Sequence, residues 1–166
     1  MRILFSLLLI VSLMFLGCVS NRNPSTSPPE GTNLSEFIRI STEKGQREPL
    51  PIADRGLTVV SLFDEFCTEC PTGSRFQTVN GLKRLPHPPG KILIIFSEEH
   101  FSSDDVENFR TLLSNNALFK GNVEAVKPHL NNGKLLVVFD SNRKTVWQEK
   151  PGMSEENVLA AISELF

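Results

Sequence analysis

The stretch that most constrains the fold is residues 57–73, LTVVSLFDEFCTECPTG. Its first half is a nearly unbroken apolar run, which is typical of a strand covered on both faces in the parallel part of an α/β sheet. Asp64 and Glu65 end this run, and the cysteines Cys67 and Cys70 follow with two residues between them. The stretch therefore predicts a buried central strand that presents two sulfurs at its carboxyl end.

A helix is expected directly after the cysteine pair, because Arg75 and several apolar side chains recur at helical spacing. A helix N-terminus stabilises a thiolate through its unpaired N–H groups and its dipole. We therefore interpret Cys67, nearer the turn, as the nucleophile and Cys70 as the thiol that resolves a mixed disulfide. Two other interpretations remain open. The pair could form an inert buried bridge, or it could serve a structural zinc site, which normally needs two such pairs.

Acidic residues surround the first cysteine in the sequence, namely Asp64, Glu65 and Glu69. Negative charge close to a thiol disfavours the thiolate. The sequence therefore predicts that Cys67 is a weakly acidic thiol. A weakly acidic thiol suits a reductant or an isomerase better than a strong oxidant.

The first 17 residues read as an export signal. Arg2 gives a positive start, and residues 3–16 form an apolar run that is short for a membrane span. The ending Phe15, Leu16, Gly17, Cys18 resembles a bacterial lipoprotein cleavage site, which implies that Cys18 becomes the first mature residue and carries lipid. An ordinary signal peptide and an uncleaved anchor are the alternatives.

A polar segment follows the signal and separates it from the folded part. Residues 21–32 contain almost no apolar side chain, so they cannot bury enough surface to offset their ordering entropy. We expect residues 18–33 to be a lipidated flexible linker and residues 34–166 to be one domain. Export implies a bacterial cell envelope location, in the periplasm or another extracytoplasmic space, where a cysteine pair can be oxidised.

The composition of the 166-residue chain is that of an ordinary globular protein, with 40% hydrophobic and 22% charged residues. A net charge of −2 and the lack of a basic stripe argue against a nucleic-acid partner. We expect a monomer attached to the membrane through its lipid.

The hydrophobic pattern predicts a short hairpin, a βαβα unit, a second hairpin and a final helix. The strands are expected at residues 37–41, 48–52 (an edge strand, because it contains prolines), 57–63, 92–96, 135–139 and 144–149. Ser102 or Ser103 is expected to cap the second helix, and Ser154 the last one. The pattern leaves residues 117–126 ambiguous. The predicted class is α/β, with a mixed central sheet flanked by helices and an N-terminal β-hairpin extension.

This order, with a Cys-x-x-Cys after the first long strand, resembles the thioredoxin-like fold. The opening segment FIRISTEKGQREPLPIADRGLTVVSLF and the closing segment KLLVVFDSNRKTVWQEKPGMSEENVLAAISEL resemble those of TlpA/ResA-type membrane-tethered thiol-disulfide oxidoreductases. The resemblance implies a redox-active disulfide at Cys67 and Cys70 that exchanges with the thiols and disulfides of other exported proteins. It implies no metal or organic cofactor. It also implies a cis proline six residues before Asp140, where this chain has Lys134; the nearest proline is Pro128.

Two further functions compete with disulfide exchange. Thiolates and an imidazole suit copper, and His129 stands in the irregular stretch before the third long strand, so a copper-binding lipoprotein on the same fold is one alternative. A non-catalytic thioredoxin-like surface module is the other. We interpret His100 as a residue that caps the end of its own strand.

Overall fold

The computed structural model describes residues 33–42, 44–64, 72–112 and 117–166. The strands are β1 (Arg39–Ser41), β2 (Arg47–Pro49), β3 (Thr58–Phe63), β4 (Lys91–Ser97), β5 (Ala117–Asn122), β6 (Lys134–Phe139) and β7 (Thr145–Gln148). The helices are α1 (Thr72–Leu82), α2 (Ser103–Leu112) and α3 (Glu155–Ser163), with 3-10 helices at Leu34–Glu36 and Glu124–His129. The predicted signal peptide, the linker through residue 32, and Cys18, Cys67 and Cys70 lie outside the described residues.

The strands form one mixed sheet in the order β2-β1-β5-β4-β3-β6-β7. β3, β4 and β5 run parallel, whereas every other neighbouring pair is antiparallel. The predicted mixed α/β sheet with an N-terminal hairpin is therefore confirmed. The proline-containing strand β2 lies at the edge of the sheet, as expected of a strand that lacks an N–H donor.

β3 is buried along its whole length, as the apolar run predicted. Alternate side chains enter different hydrophobic clusters: Val59 and Phe63 pack with residues of α1, α2 and α3, whereas Val60 and Leu62 pack with the N-terminal segment. Burial on both sides follows from this arrangement, because side chains of a strand alternate between the faces of its sheet.

Phenylalanine rings hold α1 and α2 against the ends of β3 and β4. The ring of Phe63 lies 5.3 Å from that of Phe76 on α1 and 5.4 Å from that of Phe96 on β4, between centroids. Phe109 on α2 lies 5.5 Å from Phe76 and 5.1 Å from Phe96. Such pairs contribute roughly 0.5–1.5 kcal/mol each beyond the area they bury. The start of α1 is thus anchored beside the last residue of β3.

The predicted helix caps are confirmed. The Ser102 hydroxyl accepts a hydrogen bond from the Asp105 N–H at 3.1 Å, and the Ser154 hydroxyl accepts one from the Asn157 N–H at 3.3 Å. Within the described ranges, no helix combines the length and the apolar character needed to cross a membrane.

The start of the described chain packs at the amino end of β3. Ser35 donates a hydrogen bond to the carbonyl oxygen of Arg143 at 2.9 Å, and Arg143 lies in the turn after β6. The last residue of β6, Phe139, pairs with Thr58, the first residue of β3. The opposite edge of the sheet, where β3, β4 and β5 end and α1 begins, is called the carboxyl edge below. Open α/β sheets bind their ligands at such an edge.

Candidate functional site at the carboxyl edge

The two flanks of the predicted dithiol segment have the expected structure. β3 ends at Phe63, Asp64 follows as a buried residue, and α1 is described from Thr72. Cys67 and Cys70 stand between these flanks in the sequence, outside the described residues. The charged groups beside the end of β3 and the start of α1 are described, and they form two clusters.

The first group, called the open cluster, lies on the β4 and β5 side of the end of β3 and consists of Asp64, Glu99, His100, Glu124 and Lys127. The Lys127 ammonium lies 2.8 Å from carboxylate oxygens of both Glu99 and Glu124 and 4.0 Å from Asp64 Oδ2. Hydrogen bonds to Glu124 and Glu99 raise the pKa of Lys127, and the hydrogen bond from Lys127 lowers the pKa of Glu99. Of the three acidic residues predicted to surround Cys67, Asp64 thus has a lysine nearby, whereas Glu65 and Glu69 lie outside the described residues.

His100 lies in the turn after β4 and contacts the end of β3. Its Nδ1 is 3.0 Å from the main-chain carbonyl oxygen of Asp64 and 3.4 Å from Asp64 Oδ1. The 3.4 Å contact is not a hydrogen bond, so Asp64 Oδ1 has no hydrogen-bond partner among the described residues. The imidazole thus contacts the end of the neighbouring strand β3, whereas we expected it to cap the end of its own strand, β4. The parallel order of β3 and β4 was the available signal, since parallel neighbours bring their carboxyl ends together.

The second group, called the closed cluster, lies on the β6 and β7 side and consists of Arg75, Asn131, Lys134, Glu149 and Glu155. Arg75 is 1% exposed, and its Nη2 donates to Glu149 Oε1 at 2.8 Å. Its Nε lies 3.0 Å from Glu155 Oε2, and Lys134 Nζ lies 3.2 Å from Glu155 Oε1.

Glu149 is 1% exposed and is fully engaged by its surroundings. Besides Arg75, it accepts hydrogen bonds from Asn131 Nδ2 at 3.1 Å and from the Leu136 N–H at 2.9 Å. These contacts tie α1 to β6, β7 and the start of α3. The sequence pattern indicated Arg75 only as part of a helix and gave no signal for Glu149, because a buried ion pair between distant residues leaves no local pattern.

A tight turn joins the two clusters. Asn131 and Lys134 pair with each other, and the residues between them, Asn132 and Gly133, have φ values of 51° and 70°. Positive φ at both central residues defines a type I′ hairpin turn, for which Asn-Gly is a preferred sequence. The Gly133 carbonyl oxygen accepts a hydrogen bond from the Asp64 N–H at 2.8 Å, so this turn lies directly beside the residue that begins the dithiol segment.

The position expected for a cis proline is thus occupied by the end of this turn. Lys134 lies opposite Phe63 in the sheet and directs its ammonium to Glu155. Pro128 lies inside the second 3-10 helix, and the described residues contain no cis peptide bond. The resemblance therefore does not extend to this loop.

His129, the imidazole considered for copper, lies at the end of the same 3-10 helix. Its Nε2 is buried and has no hydrogen-bond partner among the described residues. Within those residues, no group of three or more His, Cys, Asp or Glu side chains converges to hold a metal ion. A metal held by His129 would therefore need ligands from outside the described residues.

The comparisons with known proteins bear on the fold. The sequence matches no family model and no curated protein. Among solved structures, a thioredoxin-like protein from Aeropyrum pernix is similar over 76% of this chain and 88% of its own, with 10% identity and a TM-score of 0.51. A thiol:disulfide interchange protein from Bacteroides sp. is similar over 76% and 84%, with 14% identity and a TM-score of 0.50.

A third similar structure is that of Arabidopsis thaliana ScoI with copper bound. It covers 76% of this chain and 94% of its own, with 9% identity and a TM-score of 0.51. Identities this low establish architecture and leave chemistry to the site itself. With the seven-stranded mixed sheet described above, these similarities show that the chain has the thioredoxin-like fold.

Proposed function

We propose that the protein is an exported, lipid-anchored thiol-disulfide oxidoreductase that exchanges disulfides with other exported proteins through Cys67 and Cys70. The observation that carries this proposal is the pair of described flanks: a strand buried along its length ends at Phe63, and α1 follows from Thr72. A cysteine pair in a strand-to-helix connection of an α/β unit is typical of thioredoxin-like redox motifs. Anchoring through Cys18 and a location outside the cytoplasm belong to the same proposal.

The chemistry needs only the two sulfurs and a client disulfide. The Cys67 thiolate attacks one client sulfur, the client S–S bond breaks, and a client thiolate leaves. The Cys70 thiolate then attacks the Cys67 sulfur of the mixed disulfide and releases the second client thiolate. The client gains two electrons, and Cys67 and Cys70 become a disulfide that a separate reductant must reopen. The reverse sequence would oxidise a client dithiol.

A reduction assay with a disulfide-bonded model protein tests this proposal. Cys67→Ser is expected to abolish reduction, because it removes the attacking sulfur. Cys70→Ser is expected to stop the reaction at a mixed disulfide that is visible on a non-reducing gel. A Cys67→Ser protein that reduces the client as fast as wild type would contradict the proposal.

Lipid attachment has its own test. Metabolic labelling with a palmitate analogue is expected to label the wild-type protein and leave Cys18→Ser unlabelled. Equal labelling of the two would exclude Cys18 as the attachment site.

Copper binding is the second candidate, favoured by the buried and unpartnered Nε2 of His129. Soft thiolates together with an imidazole suit Cu(I). Titration with Cu(I) in competition with a chelator is expected to show a site that weakens in His129→Ala and is lost in Cys67→Ser. Equal affinity in wild type and His129→Ala would remove the imidazole from any such site.

A further inference from the structure

We propose that Asn132 is a site of spontaneous deamidation, at which water and the backbone of the turn convert the asparagine to aspartate or isoaspartate. The inference goes beyond the proposed disulfide exchange and does not depend on it. It is carried by the chemistry of the Asn-Gly sequence, by the backbone of the turn, and by the contrast with two other asparagines of the same chain.

The Asn-Gly sequence favours this reaction. The backbone nitrogen of the following residue attacks the side-chain amide carbon Cγ, and glycine has no Cβ atom to obstruct that approach. Asparagine precedes glycine at two places in the chain, Asn80 and Asn132. The sequence alone therefore gives two candidates, and the structure distinguishes between them.

The backbone of Asn132 is close to the geometry that the reaction needs. Ring closure requires the Gly133 nitrogen to eclipse the Cβ atom of Asn132, which occurs at the ψ of a type II′ turn, about −120°. The first central residue of such a turn has a φ of about 60°. The φ of Asn132 is already 51° in the type I′ turn. Rotation of the central peptide group from type I′ to type II′ geometry therefore brings the two reacting atoms together.

The central peptide group of the turn is free to make this rotation. The hydrogen bonds of the turn belong to its flanking residues: the Asn131 N–H donates to the Lys134 carbonyl oxygen at 2.6 Å, and the Lys134 N–H donates to the Asn131 carbonyl oxygen at 3.1 Å. Among the described residues, neither the Asn132 carbonyl oxygen nor the Gly133 N–H makes a backbone hydrogen bond. Asn132 is exposed, so water reaches its amide group.

The same dipeptide in α1 is held in a different conformation. Asn80 and Gly81 lie within the helix Thr72–Leu82. In an α-helix φ and ψ are about −63° and −42°, and each N–H donates to the carbonyl oxygen four residues earlier. The Gly81 nitrogen is thus engaged in the helix and held away from the Asn80 side chain. Attack at Asn80 requires local opening of the helix, which costs free energy.

Asn131 adjoins the reactive residue and is protected by its own contacts. Its Nδ2 donates to Glu149 Oε1 at 3.1 Å and to the Met153 carbonyl oxygen at 3.2 Å. Its Oδ1 accepts a hydrogen bond from the Gly152 N–H at 3.3 Å. The residue that follows Asn131 also carries a Cβ atom, which hinders the attack. The structure therefore singles out Asn132.

The reaction consumes one water molecule and releases one ammonia molecule. The Gly133 nitrogen gives its proton to a base and bonds to Cγ of Asn132, the bond from Cγ to the amide nitrogen breaks, and that nitrogen takes up a proton and leaves as ammonia. Water then opens the five-membered succinimide ring. Cleavage at the side-chain carbonyl gives aspartate, and cleavage at the main-chain carbonyl gives isoaspartate. No atom is oxidised or reduced.

The isoaspartate product changes the turn beside β3. Its main chain runs through the former side chain, which adds one backbone atom between Asn131 and Gly133. A two-residue turn of defined backbone twist does not accommodate this atom while Asn131 and Lys134 stay paired. The Gly133 carbonyl oxygen, which accepts the Asp64 N–H at 2.8 Å, is displaced with the turn. Deamidation therefore weakens the contact between the turn and the end of β3.

The test follows deamidation of the purified protein during incubation for days in mildly alkaline buffer, by mass spectrometry of proteolytic peptides. Asn132 is expected to gain the mass difference between NH2 and OH at least about tenfold faster than Asn80, because helix opening limits the reaction at Asn80. Fragment spectra are expected to show Asn131 intact. In concentrated urea the rates at Asn80 and Asn132 are expected to converge, because the same dipeptide is then unfolded at both places.

Asn132→Gly is the diagnostic variant, since Gly-Gly also fits a type I′ turn but has no side-chain amide. It is expected to show no mass gain at this position and to keep its urea midpoint throughout the incubation. The wild-type protein is expected to lose stability in proportion to the isoaspartate fraction, with faster amide exchange at Asp64. Asn80→Ala is the matched control and is expected to behave as wild type.

Equal rates at Asn80 and Asn132 in the folded protein would overturn the assignment, and so would a mass gain at Asn132 that occurs only in urea. This comparison uses the wild-type protein alone, so it does not depend on the folding of any variant. An isoaspartate form with the urea midpoint and the Asp64 protection of fresh protein would overturn the proposed change in the turn.

Discussion

The two charged clusters lie on opposite sides of the end of β3 and both pair lysine with glutamate, yet they differ in their contact with water. In the closed cluster, Arg75 and Glu149 are almost completely buried and each bonds several partners. In the open cluster, Lys127 and His100 remain partly exposed. The comparison indicates that the ion pairs of the closed cluster are shielded from water and that those of the open cluster are screened by it.

The physical difference is the solvation of the charges. Two ions removed from water interact strongly, but each also carries a large desolvation penalty, so the removal of one partner leaves an expensive unpaired charge. Ion pairs in contact with water are screened and contribute little to stability. Buried pairs therefore act as structural constraints, whereas exposed ones can change protonation without damage to the fold. Four predictions test this comparison.

The largest effect is expected for Glu149→Gln, which keeps the shape of the side chain and removes its charge. Arg75 would then keep only the partly exposed Glu155 as a charged partner, and we expect the free energy of unfolding to fall by up to about 3–5 kcal/mol in urea titrations. The double variant Arg75→Met/Glu149→Gln is the control, since it removes both charges while the glutamine side-chain carbonyl at position 149 can still accept from the Leu136 N–H, so it is expected to be more stable than Glu149→Gln alone. A single variant as stable as wild type would show that the closed cluster is not a constraint.

The same substitution at two lysines compares the clusters directly. Lys134→Met is expected to lower the free energy of unfolding by about 1.5–3 kcal/mol, because Glu155 loses a buried charged donor. Lys127→Met is expected to cost less than about 1 kcal/mol and to cost even less in 1 M salt. Equal losses, measured by urea titration at low and high salt, would remove the distinction between the clusters.

The turn that joins the clusters should be sensitive to its backbone. Gly133 has a φ of 70°, and an L side chain in this region costs about 1–2 kcal/mol. Gly133→Ala is therefore expected to lower thermal stability and to weaken the hydrogen bond from the Asp64 N–H, measured as faster amide exchange at Asp64. Gly45→Ala is the matched control, since Gly45 also has a positive φ of 72° but lies in the turn between β1 and β2. Protection at Asp64 that is unchanged in Gly133→Ala would separate the turn from the dithiol segment.

The smallest effect is a pH dependence at Glu98, beside the open cluster. The hydroxyl of Ser41 and the guanidinium of Arg47 lower the pKa of Glu98 in the folded protein. A lowered folded pKa means that the contribution to stability is present above the unfolded pKa of about 4.3 and is lost as the pH falls through the folded value. Glu98→Gln is expected to flatten the stability curve between pH 3 and 5 by less than about 1 kcal/mol. An identical curve for the variant would exclude this carboxylate as the source.

The sheet and its caps were accessible from the sequence, because their signals are local. An apolar run identified β3, and serines followed by acidic residues identified the starts of α2 and α3. β5 was ambiguous because most of its side chains are only half-buried. Gly121, within it, passes so close to the Arg39 carbonyl that a Cβ atom would lie 2.5 Å from that oxygen.

The clusters could not be predicted, because their members meet only through the tertiary fold. Arg75 and Glu149 are 74 residues apart in the chain, and Asp64 and His100 are 36 apart. Sequence patterns encode burial and local conformation, and they carry little information about which distant charges will face each other. The strand order would have been enough to predict the contact between His100 and Asp64, but not the ion pair between Arg75 and Glu149.

The hydrogen bond between Ser35 and the turn after β6 has a consequence for orientation. It holds the beginning of the described chain at one pole of the sheet, while β3 ends at the other, roughly 20 Å away along its six residues. If Cys18 carries the lipid, the domain is attached to the membrane through the pole at which the described chain begins. The pole at which β3 ends would then lie on the side of the domain away from its point of attachment.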